Sequence, residues 1–151
     1  MKRWLLNLYP PFLGAGIRVT RMDSDWKAVD VEMKLRFWNR NYVGTHFGGS
    51  LCAMTDPFFM LMLMENLGPD YVVWDKSASI RFRRPGKGRV SASFRLSDEE
   101  IEGIRRELKT RKKIEPAFAV DIKDDSGTVI AEVQKILHIR PREDAGTLTS
   151  P

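Results

Sequence analysis

The sequence predicts an α+β fold in which a curved antiparallel sheet wraps around one long apolar helix. Three observations carry this. Val29, Val31, Met33, Leu35 and Phe37 alternate with Asp30, Glu32, Lys34 and Arg36, the period-two pattern of a strand with one buried and one wet face. Residues 51–67 are apolar nearly all round, too long for a buried strand, and such a helix belongs inside something. The elements run helix, two strands, buried helix, two strands, surface helix, two strands, and a sheet with one apolar face meets that order by curling around the apolar helix.

The totals fit a single domain over residues 1–140, because 42% of the 151 residues are hydrophobic. The polar tail, residues 141–151, is expected to be disordered. One cysteine, Cys52, excludes an intramolecular disulfide and is expected to be an inert buried thiol. Two histidines and one cysteine cannot build a structural zinc site, so no metal is expected. The N-terminus lacks a signal-peptide pattern, and the longest apolar run, 57–64, is too short to span a bilayer. A soluble cytoplasmic protein is expected. The net charge of +5 is concentrated at Arg81, Arg83, Arg84, Lys87 and Arg89. That stretch carries no aromatic RNA-binding motif and no helix-turn-helix pattern appears elsewhere, so no nucleic-acid partner is expected.

In chain order, residues 2–8 predict a short helix with Trp4, Leu5 and Leu8 on one side, stopped by Pro10 and Pro11. Residues 17–21 and 29–37 predict strands, and 39–45 a polar loop. The central helix opens at Gly48, Gly49 and Ser50, is interrupted and bent at Asp56 and Pro57, and ends at Gly68 and Pro69. Trp74, Ala78, Ile80 and Phe82 read as the inner face of the next strand, with Asp75, Ser77, Ser79 and Arg81 outside. Residues 85–88 turn the chain into a strand with Val90, Ala92, Phe94 and Leu96 inward. Ser97 to Glu100 form a capping box for a surface helix with Ile101, Ile104 and Leu108 inward. Residues 117–122 and 129–139 are the last strands. The open sheet edges need covering, most simply by a second copy of the chain, which predicts a homodimer or dimer of dimers.

This order, with a glycine pair opening the central helix, resembles the hotdog superfamily of acyl-CoA thioesterases and dehydratases. It is most similar to the phenylacetyl-CoA thioesterase-like branch, and within it to a group of tetrameric acyl-CoA thioesterases. That branch carries an Asn, a Gly three residues on, then His-Gly-Gly, and an acidic residue nine positions after the His. Asn41, Gly44, Gly48, Gly49 and Asp56 occupy those places without a gap, but Phe47 stands where the family has histidine and the histidine is one place earlier, at His46. The helix after Ser97 is an insertion relative to the plainest hotdogs. The resemblance implies hydrolysis of an acyl-CoA thioester at a site between subunits. Asp56 would act on a substrate held by the other chain's Gly48 and Gly49, and coenzyme A would enter only as part of the substrate, with no separate cofactor.

Each residue carries a structural reading beside the chemical one. Gly48 and Gly49 open a helix N-terminus, whose free N–H groups stabilise an oxyanion, or they allow close helix–sheet packing. A carboxylate in an apolar helix is costly unless paired; Asp56 either activates water or attacks the carbonyl, or it caps a second helical segment begun by Pro57. Asn41 either holds the substrate carbonyl or water, or makes a turn. His46 either substitutes for the displaced histidine, with Phe47 then lining the acyl pocket, or is pointed the opposite way by its one-residue offset. Arg81, Arg83, Arg84, Lys87 and Arg89 suit the phosphates of coenzyme A, or are charges that keep a strand edge soluble. Met54, Phe58, Phe59, Met60, Met62 and Met64 are mostly core, with an acyl tunnel as the alternative. His138 is given no role. A non-catalytic acyl-CoA or fatty-acyl binding module is the alternative function, favoured by Phe47. A hydratase is not favoured, since its His–Asp or His–Glu pair is not found.

Overall fold

The computed structural model describes residues 3–142. Beyond residues 141 and 142, the polar tail expected to be disordered lies outside them. Six strands, β1 (Ile17–Met22), β2 (Ala28–Lys34), β3 (Tyr71–Phe82), β4 (Arg89–Arg95), β5 (Ala117–Asp124) and β6 (Val129–Pro141), form one sheet in the order β1-β2-β4-β5-β6-β3. Every neighbouring pair is antiparallel. No helix of the described residues is long and apolar enough to cross a membrane.

The N-terminus corrects the sequence reading. Helix α1 (Arg3–Asn7) ends, and Pro10 opens a second helix, α2 (Pro10–Ala15), at the first helical position, where a missing N–H is harmless. Leu6 and Phe12 face the core, whereas Trp4, Leu5 and Leu8 are exposed. Asn7 then completes the edge of β1: its Oδ1 accepts from Val19 N at 2.7 Å and its Nδ2 donates to Val19 O at 3.2 Å. The edge groups of Val19 are thereby met within the chain.

Strand β2 stops at Lys34, short of the expected Phe37. Asn39 turns the chain away, its Oδ1 accepting from Arg36 N at 2.6 Å and its Nδ2 donating to Lys34 O and Ala15 O. Phe37 is left 79% exposed.

The apolar segment is two helices, α3 (Gly48–Ala53) and α4 (Phe58–Leu67), with the junction at Met54–Pro57. Pro57 has no N–H to offer, and Thr55 Oγ1 bonds back to Cys52 O at 2.9 Å, so the ladder breaks there. Met54, Phe58, Phe59, Met62 and Leu63 are buried against the concave face of the sheet. Phe58 packs on Phe94 at 4.9 Å between ring centroids, and Phe59 stacks on Phe118 at 4.9 Å. Met60 is half-buried and Met64 faces out. The cap of α5 (Asp98–Leu108) is the expected capping box, and Ile101, Ile104 and Leu108 are buried.

Strand β3 departs most from expectation. A bulge between Asp75 and Ser77 reverses which residues face inward. Val73 and Asp75 pair with Ile139 and Leu137 before it, while Ala78, Ile80 and Phe82 pair with Lys135, Val133 and Ala131 after it. Trp74 is therefore turned out, 64% exposed, and Asp75 is turned in. Strand β3 has one neighbour, β6, so its far edge is unpaired among the described residues.

Candidate active site

Two cavities flank β3, with no lining residue in common. The first, about 640 Å³, lies between the start of α3 and the turn after β3; Asn41, Thr45, His46, Gly48, Arg84 and Lys87 are among its walls. The amides of Gly48 and Gly49 have no acceptor among the described residues, as expected for the first turn of a helix without a side-chain cap. Added Cβ atoms would lie 3.0 Å from Phe82 Cζ at Gly48 and 2.5 Å from Phe47 Cε1 at Gly49. The pair therefore does allow close packing, here against two aromatic rings, while leaving its amides open.

Asn41 is spent on its own loop. Its Oδ1 accepts from Thr45 N at 2.9 Å and Val43 N at 3.2 Å, and its Nδ2 donates to Thr45 Oγ1 and His46 O. His46 is 3% exposed and clamps this loop onto the turn after β3: its backbone N donates to Gly86 O at 3.0 Å, and its Nε2 lies 3.1 Å from Gly88 O. A carbonyl only accepts, so Nε2 carries the proton and the buried Nδ1 has no partner among the described residues. Burial, partly offset by the bond to Gly88, pushes the imidazole below its usual value. The sign follows directly. The neutral ring stabilises the fold above the ordinary histidine value of 6.5, and that stability is lost as pH falls through the lowered one. Urea midpoints measured between pH 7.5 and 5 are expected to fall further for the wild type than for His46→Gln; parallel curves would refute this.

Phe47 is 57% exposed and turns to a shallow hollow with Gly14, Ala15 and Trp38, away from both cavities. The basic residues divide. Arg83 is held by Glu132 at 2.7 Å, and Arg89 by Asp125 at 2.8 Å. Arg84 and Lys87 line the cavity with no ion-pair partner among the described residues. Arg81 and Arg89 are not among the cavity walls.

The second cavity, about 690 Å³, has apolar walls that include Leu6, Phe12, Met60, Leu61 and Ile80, with Asp56 and Lys135 among its polar residues. Asp56 was expected inside an apolar helix. Its side chain is instead 68% exposed in the single chain, because the break between α3 and α4 lifts it to the cavity mouth. Lys135 Nζ, with a side chain 2% exposed, donates to Asp56 O at 2.7 Å and to Asp56 Oδ1 at 3.2 Å. It also stands 3.1 Å from Asp75 Oδ1, an ion-pair contact outside hydrogen-bond geometry. Burial raises the Asp75 carboxyl above the ordinary carboxylate range; Lys135 pulls it back and the charge of Asp56 adds to the rise. Cys52, expected to be buried, is exposed at this cavity; partial desolvation and then Asp56 hold its thiol above the usual value.

Sequence reasoning missed Lys135 and Asp75. A signal for the first was present: Ala131, Val133, Leu137 and Ile139 are the inward residues of β6, and Lys135 falls in their phase. Asp75 was hidden by the bulge.

The six-stranded antiparallel sheet around a broken central helix opened by a glycine pair defines a hotdog fold. The chain belongs to the family described as Domain of unknown function (DUF4442), whose model matches residues 1–139. It is similar to PA5026 from Pseudomonas aeruginosa, a protein of unknown function described as a probable thioesterase, with 25% identity over 93% of each chain and a TM-score of 0.79. The fold is shared with the thioesterase HI1161 from Haemophilus influenzae, at 15% identity over 91% of this chain and 87% of that one, TM-score 0.65. It is shared also with OLEI01261 from Chlorobaculum tepidum, of unknown function, at 15% identity over 93% and 92%, TM-score 0.72. No curated protein matches the chain significantly.

Proposed function

We propose that the chain hydrolyses acyl-CoA thioesters at a site built between two copies, in the cytoplasm. The observation that carries this is the division of chemical parts between the two cavities beside one free strand edge. Gly48, which with Gly49 opens α3 on free amides, lines one cavity together with Arg84 and Lys87, cations without an ion-pair partner among the described residues, while Asp56 and an apolar pocket form the other. Ala78, Ser79 and Ile80 line the Asp56 cavity, and Phe82, Arg83 and Arg84 the glycine cavity. Antiparallel pairing of two β3 edges about a two-fold axis near residues 80–81 would set the first cavity of one copy beside the second of the other.

In that assembly the thioester carbonyl points at the amides of Gly48 and Gly49, which stabilise the oxyanion as it forms. The carboxylate of Asp56 from the other copy takes a proton from water as the water attacks the carbonyl carbon; as the C–S bond breaks, the protonated Asp56 returns that proton to sulfur and coenzyme A leaves as its thiol. The apolar cavity holds the acyl chain, and Arg84 and Lys87 meet phosphate oxygens. Asn41 braces its own loop and His46 clamps that loop to the turn after β3, and both are among the walls of the glycine cavity.

Free-thiol release from short, long and aromatic acyl-CoAs tests the reading, and turnover on at least one class is expected. Replacing Arg84 and Lys87 together by alanine is expected to weaken coenzyme A binding by roughly 10- to 100-fold and to flatten its salt dependence, read by calorimetry. Unchanged affinity would remove the basic turn from the site. A non-catalytic acyl-CoA binding module is the second reading, favoured by Phe47 in place of the histidine and by the engaged Asn41. Coenzyme A binding without turnover on any substrate would establish it.

A further inference from the structure

We infer that Lys135 is the positioning residue for Asp56, with Asp75 as its fixed counter-ion; this rests on the thioesterase reading of Asp56. A lysine on the inner face of a central strand is costly to bury, and it persists only where its donors are met. Here the ammonium makes two hydrogen bonds to Asp56, one to its carbonyl and one to its carboxylate, and an ion-pair contact to the carboxylate of Asp75. Asp56 lies at the helix break, where Pro57 has no N–H to donate and the Asp56 side chain is largely solvated. Few other contacts fix that carboxylate. Its 3.2 Å bond to Lys135 and the 2.7 Å bond from Lys135 to its own carbonyl tie it to β6, the strand paired with β3.

The second carboxylate explains why the ammonium stays in place. Asp75 is carried inward by the β3 bulge, so Lys135 is gripped from two elements, the helix junction and the strand. The other groups of the cavity able to ionise are Tyr9, just before α2, and Cys52 from α3, and neither is bonded to Lys135. The bulge thus positions Asp56 indirectly, through the lysine. Lys135 takes no proton in the reaction.

The test compares Lys135→Gln, Lys135→Arg and Asp75→Asn in the full chain, with acyl-CoA turnover and a crystal structure of each variant. Lys135→Gln keeps a donor for the Asp56 carbonyl but lacks the charge. It is expected to lower kcat by roughly 10- to 100-fold, the scale for a misplaced catalytic group, with KM within about threefold. Lys135→Arg is expected to recover most of that loss. Asp75→Asn is expected to lower the melting temperature and to lower kcat by less than Lys135→Gln does, because the ammonium loses its counter-ion but keeps both Asp56 contacts. A merely structural lysine would give the opposite pattern, with kcat following stability across all three variants. That result, or a Lys135→Gln structure in which residues 54–57 and the Asp56 carboxylate are unmoved, overturns the inference. If Asp56 is displaced in that structure but the wild type turns over no acyl-CoA, the anchor stands and the thioesterase reading falls.

Discussion

Asp56→Asn is expected to lower kcat by roughly 10²- to 10⁴-fold, the range for removing a general base, while coenzyme A affinity changes less than about threefold. The substitution keeps the side chain's shape and removes its ability to take a proton from water. The fold should tolerate it. Lys135 retains the 2.7 Å bond to the Asp56 carbonyl, and the side-chain pair it loses is solvated at the Asp56 end, so the stability change is about 1 kcal/mol or less. Single-turnover thiol release and a coenzyme A titration, run on the same preparation, separate the two effects. Turnover that survives in the variant would remove Asp56 from the chemistry. Equal loss of turnover and affinity would instead make it a binding group.

Phe58→Ala carries the largest expected stability effect. Phe58 is fully buried at the first turn of α4, with ring centroids 5.9 Å from Phe12 and 4.9 Å from Phe94, so three elements lose a shared contact. The cost expected for such a cavity is about 3–5 kcal/mol. For a chain of this size that corresponds to a fall in melting temperature of roughly 10 °C. Urea unfolding should show a lower midpoint at an unchanged slope. Truncating Met64, a residue on the same helix that is 45% exposed, is expected to stay within about 0.5 kcal/mol. Comparable losses at both positions would contradict a core that lies on one side of α4.

How much was legible depended on whether the signal was local. Residues 29–34 form a strand with Val29, Val31 and Met33 fully buried because alternation is a property of the chain itself, and the register of β2 on β4 follows from it. Ser97 and Glu100 cap their own helix three residues apart. The glycine pair at the start of α3 and the carboxylate beside Pro57 were also visible, as was the basic turn at residues 84–87. The sequence by itself therefore determined the order of the strands, the surface helix, the apolar interior and, in the candidate site, the glycine pair, Asp56 and the basic turn.

What remained was decided by pairing between distant strands. The bulge in β3 exists because that strand must match β6, and no local pattern marks where one extra residue will be inserted. That single irregularity turned Trp74 out and Asp75 in. Lys135 stands in the inward phase of β6, but its partners, the helix break and Asp75, meet its ammonium only in the folded chain. Asn41 and His46 likewise carried donors and acceptors suited to a substrate, and the fold spent them on the loop and the turn. A polar group's task is set by the partner it meets, and in this protein those partners come from other parts of the chain.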